Sequence, residues 1–66
     1  MKPVITVFET ELKKKENLTE LLQKLVTQKE VKGIVEYFPK ARKATEVIRI
    51  LRENGVDYQI RFDPAG

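Results

Sequence analysis

The sequence predicts a small α/β domain. The expected form is a two-layer sandwich, βαβαβ, with a three-stranded, mostly parallel sheet and two helices on one face. Three observations lead there. Three short runs, Val4–Phe8, Ile34–Phe38 and Val56–Phe62, are rich in β-branched and aromatic residues. The two stretches between them carry apolar residues at helical spacing. Both links are long enough for crossovers between parallel strands, which are right-handed in nearly all known cases.

The first run, Val-Ile-Thr-Val-Phe, is followed by a polar connection from Glu9 to Glu16. Asn17-Leu18-Thr19-Glu20 has the form of a capping box: Asn17 accepts from a backbone N–H and Glu20 reaches back. Leu18, Leu21, Leu22, Leu25 and Val26 then follow at i, i+3, i+4, i+7 and i+8, so a helix is expected from Asn17 to near Glu30. Gly33 suits a turn. The second strand ends at Pro39, which favours an extended residue before it and tolerates a helix start after it. A second helix is expected over Lys40 to Glu53, with Ala41, Ala44, Val47, Ile48 and Leu51 on its apolar face. Asn54-Gly55 is a helix stop. In the last run Val56, Tyr58, Ile60 and Phe62 alternate with Asp57, Gln59 and Arg61, which predicts one buried and one wet face. With Thr6 and Glu36 as companions on the wet face, the helices belong on one side only. A ferredoxin-like βαββαβ order is the alternative. It requires a hairpin between Gln28 and Phe38, where Gly33 is the sole turn residue, and so it stands second.

Length and composition narrow the function. Sixty-six residues make at most one domain, spanning 1–66. Such a chain buries only about 60% of its unfolded surface and is expected to be marginally stable alone. With no cysteine and no histidine, it has neither disulfides nor the ligands of a structural zinc site. Thiol and serine nucleophiles and imidazole acid–base groups are all absent, since serine is missing too. Glu9, Glu36 and Asp63 are scattered carboxylates that read as solvated surface acids. The isolated glycines exclude a P-loop or a dinucleotide fingerprint. A non-enzymatic protein with no cofactor and no metal is therefore expected. No apolar run approaches the ~20 residues of a membrane span. No signal peptide is visible, so the expected location is cytoplasmic.

The stretch from Ile34 to Phe62 is similar to the opening strand–helix–strand of glutaredoxin-like and arsenate-reductase-like thioredoxin folds. That resemblance places the helix start, Pro39 to Lys43, where those families carry reactive cysteines. Phe38 and Ala41 stand at those positions here, so their redox activity does not carry over. The resemblance covers under half of the chain and does not assign it to the family.

The charge pattern points elsewhere. The net charge is +3, and it resides on residues 40–53: Lys40, Arg42, Lys43, Arg49 and Arg52 against Glu46 and Glu53. Three of these cations stand where the second helix is expected to begin, the end of a helix that favours anions. In a parallel βαβ unit, strand C-termini and helix N-termini share one edge, where ligands tend to bind. Lys40, Arg42 and Lys43, joined there by Lys13, Lys14 and Lys15 of the first connection, form a candidate site for phosphate or a nucleic-acid backbone. Phe8 and Phe38, at strand ends, are the candidates for base stacking. The opposing reading is a solvated helix face, with Arg42–Glu46, Glu46–Arg49 and Arg49–Glu53 spaced as ion pairs worth a few tenths of a kcal/mol each.

Three expectations follow. The first is a scaffold with no native ligand, engineered or designed, because local signals agree across levels and reactive residue types are missing. The second is an anion- or nucleic-acid-binding module. The third is a small homodimerising domain paired through an exposed strand edge.

Overall fold

A computed structural model describes residues 2–13 and 15–64. It contains four strands and three helices: β1 (Lys2–Phe8), α1 (Glu9–Lys13), α2 (Glu16–Gln23), β2 (Val26–Val31), β3 (Ile34–Pro39), α3 (Ala44–Glu53) and β4 (Gln59–Asp63). The strands form one sheet in the order β2-β3-β1-β4, and every neighbouring pair is antiparallel. This corrects the expected three-stranded, mostly parallel sheet with two helices. The chain is a small mixed α/β domain in which each helical link joins strands of like direction, while a third strand lies between them. β1 and β2 flank β3, and β3 and β4 flank β1.

The added strand arises where helical periodicity was expected to continue. α2 stops at Gln23, and Leu25 donates back to the Leu22 carbonyl at 2.9 Å in a closing turn. Val26 is buried, but as a strand residue, and Leu21, on the expected apolar face, is 54% exposed. The hairpin between Gln28 and Phe38 that the ferredoxin-like order required is present. Its two-residue loop is Lys32-Gly33, with φ of +45° and +82°. Two positive φ values are the mark of the mirror-image turns whose twist matches paired strands. Gly33 adopts its value without strain; Lys32 does not. The expected Asn17 cap is also corrected. α2 begins at Glu16 with Lys15 at the N-cap position, and no side chain among the described residues caps it.

The side chains of Ile5, Val7, Val35 and Tyr37 form one sheet face, and Leu12, Leu18, Leu22, Val47 and Leu51 of the helices pack on it. Leu22, Val47 and Leu51 are completely buried. Each such side chain contributes about 1.5–3 kcal/mol relative to exposure. Among the described residues the opposite face carries no helix. Thr6 lies there between its partners Glu36 and Gln59, and Arg61 donates to the Glu36 carboxylate at 2.7 Å across β1. Val4 points the same way as Thr6, yet it is 1% exposed and stands apart from the main core cluster.

α3 begins at Ala44, four residues later than the expected start at Lys40. Its stop is as expected. Gly55 has φ +68° and donates to Arg52 O at 3.1 Å, while Val56 donates to Leu51 O at 2.9 Å. These two bonds define a Schellman motif, and its usual hydrophobic contact is supplied by Leu51 and Val56, both in the core. β4 begins at Gln59 rather than Val56, so Val56 is buried in the connection before the strand.

Candidate anion-binding site

The turn after β3 is built from backbone bonds. Lys40 N–H donates to Leu25 O at 2.8 Å, which ties the end of β3 to the start of β2. Lys43 N–H donates to Lys40 O at 2.9 Å and closes the turn. Within it Arg42 has φ +63°, the left-handed region that costs a side-chain-bearing residue roughly 1–2 kcal/mol. The first bond of α3 runs from Val47 N–H to Lys43 O at 3.0 Å, so the N–H groups of Ala44, Thr45 and Glu46 precede the helical ladder. No side chain among the described residues caps this end. Lys43 instead pairs with Glu46 at 3.5 Å, one turn into the helix.

A recess of about 370 Å³ opens beside this turn, and Lys2, Pro3, Pro39, Lys40 and Arg42 line it. Lys40 and Arg42 are exposed and make no ion pair among the described residues. Lys2 is a member that the sequence reading missed. The antiparallel register explains its presence: Ile5 opposes Tyr37, so the N-terminal end of β1 lies beside the C-terminal end of β3.

The same register separates the two lysine clusters expected to converge. Phe8, at the C-terminal end of β1, opposes Ile34, at the N-terminal end of β3. The links that leave these strands therefore start at opposite ends of the strands. Lys13 and Lys15 line a different recess, of about 550 Å³, together with Asn17 and Asn54. The Lys15 ammonium donates to the Asn54 carbonyl, at the C-terminal end of α3, where a cation is electrostatically favoured. The ten residues of α3 place its two ends about 15 Å apart. Lys14 lies outside the described residues.

The two candidate stacking rings are separated as well. Both lie on the helix-free face. Phe8 is 59% exposed and Phe38 half-buried. Phe38 is level with Val4, so the two rings stand about 13 Å apart along the strands.

Among the described residues no group of three or more His, Cys, Asp or Glu side chains could hold a metal ion. No helix among them is long and apolar enough to cross a membrane. The ionisable group with a large perturbation is Tyr37, whose phenol is pushed up to about 12 by burial, with a further contribution from the Glu30 carboxylate. It belongs to the core and not to either recess. Compared with known protein families, with curated proteins and with solved structures, the chain shows no match.

Proposed function

We propose that this chain is a non-enzymatic binding domain that holds an anionic, phosphate-like group at the rim formed by Lys2, Lys40 and Arg42. The observation that carries the reading is Arg42. It occupies a left-handed backbone position that glycine would fill without strain, at the mouth of a recess shared with two lysines. A residue held in a strained backbone conformation is a basis for a functional hypothesis. The early N–H groups of α3 and the helix dipole favour the same ligand chemistry. Lys43, held by Glu46, is a bystander in this arrangement, and Lys13 and Lys15 serve the far end of α3.

A nucleic-acid backbone is the less favoured ligand. Useful affinity needs several phosphate contacts, and the two phenylalanines do not form a shared stacking platform. A scaffold with no ligand is the second reading. It is favoured by the solvent exposure of Lys40 and Arg42 and by the lack of any buried charged residue among those described.

Amide chemical shifts, recorded during titration with inorganic phosphate and then with a short single-stranded oligonucleotide, separate these readings. Anion binding predicts saturable, salt-sensitive shifts in residues 2–3 and 39–46, with residues 13–17 unmoved, and their loss in a Lys40→Ala/Arg42→Ala variant. A dispersed spectrum with no saturable shift would leave the scaffold. Tighter, more salt-sensitive binding of the oligonucleotide, with shifts reaching Phe38, would favour nucleic acid.

A further inference from the structure

We propose that a second copy of this chain pairs along β4, joining two sheets into one antiparallel sheet of eight strands. β4 is an edge strand, and its outer backbone groups face away from β1. Its side chains divide by register. Ile60 opposes Ile5 and Phe62 opposes Pro3, so both lie on the helix-bearing face. No helix covers them there: Ile60 is 41% and Phe62 is 60% exposed, whereas Ile5 beside them is completely buried. An apolar strip therefore runs along one open edge.

The other edge differs. β2 presents the exposed Lys29 and Glu30, and charges of this kind discourage strand addition. The charged residues of β4 are Arg61, whose guanidinium is held by Glu36 at 2.7 Å on the opposite face, and the half-buried Asp63 at the end of the strand.

The sequence of β4 is suited to pairing with itself. A two-fold axis normal to the sheet through Arg61, the middle residue, pairs all five residues of the strand. It sets Ile60 of each copy opposite Phe62 of the other, on the same face, and keeps every helix on one side of the joined sheet. Four apolar side chains then cover one another. Arg61 meets its own copy across the axis, with each charge already compensated by Glu36. A typical stable interface takes about 800 Å² from each partner, roughly one sixth of the 4935 Å² surface of this chain. A five-residue edge is smaller than such an interface, so the pairing is weak and reversible. The association is thus concentration-dependent.

Molar mass by light scattering or sedimentation, taken up to the concentrations used for NMR, is the first test. Twice the chain mass is expected at the top of the series, with Phe62→Lys returning a single-chain mass and Val31→Lys, on the other edge, leaving the dimer intact. A second test does not depend on the Phe62 variant folding. The chain lacks cysteine, and an axial residue in an antiparallel pair lies about 4.5–5.5 Å from its own copy, within disulfide range. Arg61→Cys should therefore oxidise to a linked dimer far more readily than Lys29→Cys. A single-chain mass at every concentration, or equal cross-linking of the two cysteine variants, would overturn the proposal.

Discussion

Replacing Tyr37 by phenylalanine should make this protein more stable. Tyr37 is completely buried, and among the described residues its hydroxyl has no hydrogen-bond partner. Its cross-strand neighbour Gln28 also has a buried, unpartnered Oε1. A buried polar group left unsatisfied costs about 1–3 kcal/mol, and Tyr37→Phe removes that cost while keeping the ring. Taking the lower end, a gain of about 1 kcal/mol raises Tm by about 4–8 °C in a domain of this size. It moves a urea midpoint by roughly 1 M if the slope is about 1 kcal/mol/M. The pH dependence gives an independent arm. The phenol moves from 10.0 to about 12 on folding. Between those values the unfolded chain has lost the proton and the native chain retains it. Native stability must then fall as pH rises, by up to about 1.4 kcal/mol per pH unit. Below pH 10 the group contributes no slope. Urea unfolding at neutral pH and at several alkaline values, for wild type and Tyr37→Phe, measures both effects. Destabilisation of the variant by 1 kcal/mol or more, or the same alkaline slope in both proteins, would refute the reasoning.

The other predictions concern turns and core. Arg42→Gly should raise stability by about 1 kcal/mol through relief of its left-handed backbone, yet weaken phosphate binding; thermal melts and the phosphate titration read the two effects separately. Lys32→Asn should stabilise by a few tenths of a kcal/mol or more, because asparagine tolerates the positive φ of the hairpin better, and chemical denaturation will show it. Leu51→Ala should cost about 2–5 kcal/mol, a large share of the stability of so small a domain, and leave little folded protein by circular dichroism. A double-mutant cycle on Arg61 and Glu36 should return no more than about 1 kcal/mol, since Arg61 is half in solvent.

Much of this fold can be read from local signals, and what cannot is specific. Asn54-Gly55 ends α3 because the αL position needs a residue like Gly55, and the following Val56 has an apolar site to fill. The alternation from Val56 to Phe62 sets Ile60 and Phe62 on the face opposite Arg61, but the burial expected of that face is absent at Ile60 and Phe62, because whether a helix overlies them depends on where α3 lies. β2 was hidden because Leu18, Leu22, Leu25 and Val26 continue a helical spacing past the point where the chain turns. The signal that distinguishes it is the pair of β-branched residues Val26 and Thr27, with Val31-Lys32-Gly33-Ile34 as a two-residue loop. Lysine in place of the more usual asparagine weakens that signal. The candidate site suffered from the same omission. One missed strand reverses β3 relative to β1, which moves Lys13 and Lys15 to the far edge and brings Lys2 to the near one.

The placement of β1 in the sheet has a kinetic meaning. Its two neighbours are β3 and β4, and its pairs join Phe8 to Ile34 and Thr6 to Gln59. Only the β2–β3 hairpin is local, so it can form early and alone, within microseconds. Closure of the other ladders must wait for long loops to be brought together, and such topologies fold more slowly than local ones. During synthesis β1 is made before either of its partners. Until Asp63 is made, the strand that becomes the centre of the sheet has an unpaired edge, and the growing chain is most open to unwanted strand pairing during that interval.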